Sequence, residues 1–205
     1  MTRLVVITAG LSQPSSTRLL GERLAEATRT ALETPEPQTP VEIDLVDLRD
    51  LAHDVVNHVL TGFPSPALAR VLEQIAAADA LIAVTPIFNA SYSGLFKSFF
   101  DVIDPDLLRA KPVLIGATGG SERHSLALEH AVRPLFSYLH AITVPTSVYA
   151  ASSDWGTADG SNALGERIDR AGAELAGLLT RTAPGSTGPV DPFANPPSFL
   201  DLLGR

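Results

Sequence analysis

The chain predicts an α/β three-layer sandwich built on a five-stranded parallel sheet, and three observations carry that prediction. Apolar runs alternate with stretches of helical periodicity in the pattern β-α-β-α-β-α-β-α-β-α. The first run, Leu4 to Ala9, is a continuous, β-branched run, apolar but for Thr8, as befits a strand buried on both faces of a parallel sheet. Unusual turns rich in small or polar residues follow the first, third and fourth runs. The natural strand order is 2-1-3-4-5, with its switch point between strands one and three.

Each element has its own signal. After Leu4–Ala9 comes GLSQPSSTR, Gly10 to Arg18, and a helix starting near Ser16 or Thr17 with Leu19, Leu20, Leu24, Ala25 and Leu32 turned inward. TPEPQTP, Thr34 to Pro40, breaks it. Val41 to Leu48 reads as the second strand, near a sheet edge, and His53 to Gly62 as a connection with little helix. Pro66 opens a helix to Ala78, with Leu68, Val71, Leu72 and Ile75 on one face. Ala80 to Val84 is the third strand, broken at Pro86, and Leu95 to Ile103 resumes a helical period. Pro112 to Ala117 is the fourth strand. Ser125 to Leu139 is a helix with Pro134 as an internal irregularity. Ile142 to Tyr149 is a fifth strand interrupted by Pro145; Ala150 to Ser161 is a loop; Asn162 to Thr182 is an amphipathic helix. One domain, residues 1–183, is followed by a Pro/Gly-rich tail, 184–205.

Composition excludes several classes. With 45% hydrophobic and 19% charged residues in 205, the chain has ordinary globular composition. Fifteen basic against 23 acidic residues give a net charge of −8, with no basic run to displace counterions, so no nucleic-acid partner is expected. The absence of cysteine excludes a disulfide scaffold, a thiolate nucleophile and a redox dithiol; a redox enzyme with this sequence needs an external cofactor. His53, His58, His130 and His140 lack metal-ligand spacing, so no metal is expected. MTRLVVITAG is too quickly polar for a signal peptide, and no apolar run reaches about 18 residues, so the expectation is a cytoplasmic protein without a membrane span.

In the 2-1-3-4-5 order the three unusual turns share one crevice. The first offers the hydroxyls of Ser12, Ser15, Ser16 and Thr17, with Arg18, at a helix N-terminus, where unpaired amides and the helix dipole favour an anion. The same residues would serve as plain N-caps elsewhere in a fold. The turn is neither a P-loop nor a GxGxxG fingerprint. The second turn can present Pro86, Ile87, Phe88 and Asn89 to a flat ring, with Tyr92 nearby; Phe88 and Tyr92 stand equally as core or interface aromatics. The third, Thr118 to Ser121, carries Gly119 and Gly120, which admit a ligand close to the backbone or simply make a tight turn. Lys97 and Asp101 read as an ion pair on a helix face. No GxSxG elbow and no acid–base dyad is present, so no catalytic side chain is assigned. These residues describe a flavodoxin-like domain holding a flat, phosphate-bearing cofactor. FMN fits, with phosphate on the first turn and isoalloxazine against the other two.

Three blocks resemble a known family. SQPSSTR is similar to its Ser/Arg-rich phosphate loop. PSPALARVLEQIAAADALIAVTPIFNASYSGLFKSFFDVID resembles its helix, strand and TPIY-x-x-S-x-S-G-x-x-K block, and ATGGSERHSLALEHAVRPLFSYLHA its ATGG-x-x-x-H-x-L-A helix with the following RP-x-L. The family is the NAD(P)H-dependent FMN reductases of two-component flavin monooxygenase systems, with the members partnered by luciferase-like monooxygenases most alike. The resemblance implies flavin contacts from Ser12, Ser16, Thr17 and Arg18, from Pro86, Ile87, Phe88, Asn89 and Ser91, and from Thr118, Gly119, Gly120 and Ser121. It implies hydride transfer from NAD(P)H to FMN, release of reduced FMN to a partner monooxygenase, and a homodimer or homotetramer. Phe88 stands where the family often has Tyr, and Gln13 where it often has Arg, a role for which Arg18 is the substitute. His130 falls where relatives carry a π-bulge residue at a subunit interface. Two other readings stay open: an FMN-containing quinone or azo reductase, and a non-enzymatic electron carrier of flavodoxin type.

Overall fold

The computed structural model describes residues 1–33, 40–155 and 163–181. Strand β1 (Thr2–Thr8) is an interior strand of the sheet. It pairs in parallel with β2 (Val41–Asp47) from Thr2↔Val41 to Thr8↔Asp47, and with β3 (Ala80–Phe88) from Leu4↔Ala80 to Thr8↔Val84. β3 continues to β5 (Pro112–Gly119), from Leu81↔Val113 to Pro86↔Thr118. Along the outer edge of β5 lie β6 (Ile142–Thr143) and β7 (Val148–Ala151).

The helices explain the unbroken apolarity of the strands. On one face α1 (Ser16–Glu33) and α6 (Ala163–Arg181) cover Leu4, Val6 and Ile82 with Leu20, Leu24, Ile168 and Leu175. On the other, α3 (Pro66–Ala77) and α4 (Gly94–Asp101) cover Val5, Ile7 and Ile115 with Leu68, Ile75, Phe96, Phe99 and Phe100. Successive residues of β1 therefore go to opposite cores. Gly172 lets α6 approach α1 closely: a Cβ there would sit 2.8 Å from the Ala27 backbone carbonyl carbon.

The parallel α/β sheet is the one expected, but it has seven strands, not five. Two of the seven are halves of the expected fifth strand. β6 and β7 follow the same edge of β5, separated by a gap that contains Pro145, which has no N–H to donate to the ladder. The further strand is β4 (Ser91–Tyr92), which turns back antiparallel on the end of β3 through Ile87↔Tyr92 and Phe88↔Ser91. The connection has two residues in the left-handed region, Asn89 at φ 48° and Ala90 at φ 71°. β3 itself does not break at Pro86. Beyond Val84 it is bordered by β5 but no longer by β1, so a missing N–H is tolerated on the free side.

Two helical expectations are corrected. His53–Gly62 is not an open connection: α2 spans Ala52–Thr61 and closes on Gly62 at φ 77°, whose N–H donates to the His58 carbonyl over 2.8 Å. The Ser125–Leu139 segment is not one helix. A 3₁₀ turn (Glu122–His124) leads to a π-helical turn, Leu128–Val132, and then to α5 (Arg133–Tyr138). In a continuous α-helix the Pro134 ring would meet the His130 carbonyl; the wider π turn gives it room. Residues 152–155 of the expected loop form a 3₁₀ turn directly after β7. The tail, 184–205, lies outside the described residues.

Candidate functional site

The C-terminal ends of β1, β3 and β5 are adjacent, so the turns that follow them open on one crevice. Ser15 caps α1: its Oγ accepts the Arg18 N–H at 3.2 Å. The amides of Ser16 and Thr17, in the first turn, have no carbonyl four residues back inside the helix and remain available to an anion. Gly10 is required where the turn doubles back, because a Cβ there would overlap the Ser15 hydroxyl.

The second turn is held from beneath. The Thr85 hydroxyl, fully buried, donates to the Pro86 carbonyl at 2.9 Å and accepts the Ser93 N–H at 3.1 Å. Ser93 in turn caps α4 through Phe96 N–H. The third turn is held by Tyr149 of β7, whose hydroxyl donates to the Ser121 carbonyl at 2.7 Å. Burial, and then the Asp154 carboxylate, push the Tyr149 phenol above its ordinary pKa, so it stays a donor. The glycine at 119 makes room for that phenol, since a Cβ would overlap its oxygen. Gly120 faces open space.

A direct bond joins the first and third turns. The hydroxyls of Thr17 and Thr118, both buried, are 2.8 Å apart. Around this bond lies a cavity of about 310 Å³. Its walls are Ser12, Ser16 and Thr17 from the first turn, Pro86, Ile87 and Phe88 from the second, and Thr118, Gly119 and Gly120 from the third.

Four residues expected beside them do not line this cavity. Arg18 turns along α1, donating to Glu22 at 2.8 Å and pairing with Asp47, which also accepts from Thr8. The hydrogen bond it donates to Glu22, and then that to Asp47, hold its guanidinium more firmly protonated than usual. Asn89 and Ser91 flank the β3–β4 turn. Ser121 caps the next 3₁₀ turn through Arg123 N–H at 3.3 Å.

Gly10, Leu11, Ser152 and Trp155 also line the cavity and were not among the expected residues. The signal for Trp155 was present: if strand five lies beside strand four, the turn after it opens on the same crevice. Among the described residues, none lining this cavity is titratable, and no group of three metal-ligating side chains occurs.

A doubly wound domain with its crevice at the β1/β3 switch point, a hydroxyl-rich turn at a helix N-terminus and flat apolar walls opposite is a mononucleotide-binding protein of the flavodoxin-like class. The donor set suits FMN, with hydroxyls and free amides for a phosphate and Pro86, Ile87 and two glycines for a ring. The model of the family described as NADPH-dependent FMN reductase matches residues 2–156, and the chain belongs to that family. The chain is 37% identical over 153 residues to FMN reductase (NADPH) of Pseudomonas aeruginosa, covering 75% of this chain and 78% of that protein. It is 39% identical over 154 residues to the NADH-dependent FMN reductase SfnF of Pseudomonas fluorescens, with the same coverage. Among solved structures, an oxidoreductase from Corynebacterium diphtheriae superposes with a TM-score of 0.83 at 41% identity, over 88% of this chain and 98% of that one.

Proposed function

We propose that the chain is an NAD(P)H-dependent FMN reductase that delivers reduced FMN to a partner flavin-dependent monooxygenase. The observation that carries the flavin site is the convergence of three turns, tied by the Thr17–Thr118 bond, on one cavity. Bound FMN supplies the redox chemistry, accepting electrons from the nicotinamide. The chain binds and orients. The Ser16 and Thr17 amides with the Ser12 and Ser16 hydroxyls hold the phosphate, while Pro86–Phe88 and Thr118–Gly120 align the ring. Asn89, Ser91 and Ser121 shape the two turns, and Arg18 braces the first through Asp47. Among the described residues no titratable side chain lines the cavity, so any proton the reduced flavin takes up would come from solvent.

Delivery to a partner is supported by an open ring end: Phe88 is 46% exposed at the crevice rim, beside the exposed Asn89–Ala90 turn. A homodimer or homotetramer is supported by apolar side chains left outside: Val56, Val59, Leu60 and Phe63 on and after α2, and Leu126 and Tyr138 either side of the π turn. A cytoplasmic location is supported by a reaction that draws on the cellular nicotinamide pool. Among the described residues no helix is long and apolar enough to cross a membrane.

The test is NAD(P)H oxidation with added FMN, followed by transfer to a reduced-flavin-dependent oxygenase. FMN-dependent turnover and oxygenase product are expected. Absence of turnover with either nucleotide overturns the reading. A flavin that remains bound through gel filtration, with no transfer, overturns the delivery step.

A further inference from the structure

A phosphate monoester carries about 1.5 to 2 negative charges at neutral pH. Here it must bind to a chain whose own net charge is −8. The first-turn amides and hydroxyls that hold it are all neutral donors. Within that turn Gln13 has no charge to give, and Arg18 is committed to Glu22 and Asp47. We propose that the missing cation is Arg23: its guanidinium, braced on the Trp155 indole, reads the phosphate of FMN. The proposal rests on the flavin reading above and adds a residue to that site.

Three observations carry it. The first is continuity. A cleft of about 760 Å³ crosses the outer face of α1 and shares Gly10, Ser12, Ser16 and Trp155 with the flavin cavity. The two spaces therefore meet at the first turn. Ser16, Leu19 and Arg23 line the cleft at i, i+3 and i+7, one stripe of α1. Helical side chains lean towards the N-terminus, so the stripe carries Arg23 back towards the turn.

The second is bracing. The Arg23 guanidinium lies over the Trp155 indole, 5.2 Å from the ring centroid. Trp155 is itself a wall of the flavin cavity, so the stack holds the cation at the cavity's border. The turn that carries Trp155 is pinned in its own right. Asp154 accepts the Ala151 N–H at 2.8 Å and pairs with Arg167 of α6 at 3.7 Å. A guanidinium stacked by its face keeps its edge N–H groups for an anion.

The third is availability. Among the described residues Arg23 forms no ion pair. The carboxylates of this cleft and of the groove behind Arg23 are Glu22, Glu26, Asp47, Asp50 and Asp169. Arg18 holds Glu22 and Asp47, and Arg29 holds Glu26. Neither Asp50 nor Asp169 pairs with Arg23. Among the described residues Arg49, the other arginine of the cleft without an ion pair, stands after β2 with no ring beneath it.

FMN and riboflavin differ only by the phosphate, so the ratio of their affinities isolates its recognition. The full chain and its variants are titrated with each flavin by quenching of flavin fluorescence, at low and at high salt. Arg23→Gln should weaken FMN about tenfold and riboflavin less than about twofold, and should flatten the salt dependence of FMN binding. Arg23→Lys, which keeps the charge, should recover part of the loss. Arg49→Gln should leave the ratio unchanged. Trp155→Leu should lower the ratio severalfold in the unaltered chain but not in the Arg23→Gln background, as befits a residue that acts through Arg23.

Equal weakening of FMN and riboflavin by Arg23→Gln would mark a support for the cavity, not a reader of phosphate, and overturn the assignment. So would a loss that follows Arg49→Gln instead, or no change with either variant, while the flavin reading stands. A Trp155→Leu loss of the same size in both backgrounds would overturn the brace. If the unaltered chain binds neither flavin, the flavin reading itself fails and takes this one with it.

Discussion

Thr17 and Thr118, 101 residues apart in sequence, share a buried 2.8 Å hydrogen bond that fastens the start of α1 to the end of β5. The bond spans the switch point, with β3 lying between β5 and β1, the strand that leads into α1. It fixes the distance between the first and third turns.

Removing one partner strands the other hydroxyl in a buried place, at a cost of about 1–3 kcal/mol. Thr17→Val and Thr118→Val should each destabilise the chain by that amount in urea unfolding. The double variant should lose less than the sum, because no hydroxyl is left unpaired. Additive losses would show that the two side chains do not interact.

The β3–β4 turn carries a left-handed alanine, Ala90, at φ 71°. That conformation costs a non-glycine residue about 1–2 kcal/mol, against about 0.5–1 kcal/mol of extra unfolded-state entropy for glycine. Ala90→Gly should therefore raise stability by a few tenths to about 1 kcal/mol, read as an upward shift in melting temperature. Ala90→Val should lower it.

Close approach of α1 and α6 depends on Gly172. A methyl there meets Ala27 and Thr28 backbone, which cannot swing aside, so Gly172→Ala should cost about 1–3 kcal/mol as overpacking. Calorimetry on the single variant checks this, with no loss as the contrary result.

Arg133 joins the π turn to the broken fifth strand. It binds Glu129 twice, at 2.5 and 3.0 Å, and donates to the Thr143 hydroxyl and the carbonyls of Val144 and Pro145. The Arg133 hydrogen bond, against the opposing effect of burial and with help from Ser147, holds the Glu129 carboxyl below its ordinary pKa. A carboxyl depressed in the folded state binds more protons when unfolded. Its stabilisation is thus complete above the unfolded value of about 4.3 and is lost as pH falls through the folded value. Glu129→Gln should flatten the acid limb of the stability curve below about pH 4.5, by less than about 1 kcal/mol given the exposure of the pair. An acid limb identical to that of the unaltered chain would contradict this.

What the sequence revealed follows from what each element buries. β1 and β3 were legible because both faces are covered, so their central residues, Leu4–Ile7 and Ala80–Val84, are apolar without a break. Pro145 announced the split of the fifth strand. α2 was hidden because Val56, Val59 and Leu60 face outward and Val55 is its only fully buried side chain, so no inward stripe marks it. The β4 hairpin was hidden because its turn is Asn89–Ala90, without the glycine that usually signals positive φ. Arg18 stands at a helix start and invites an anion, but Asp47, 29 residues on, claims it. The π turn at His130 was foreseen only through resemblance; periodicity alone gave a continuous helix.

In the function proposed above, the first turn holds a phosphate and the other two face a flavin ring. The most direct test of this is NAD(P)H oxidation, and binding, with FMN and with riboflavin, which differ only by that phosphate. Reduction of FMN and at least tenfold weaker binding of riboflavin are expected. Equal affinity for the two, or no flavin-dependent oxidation at all, would contradict it.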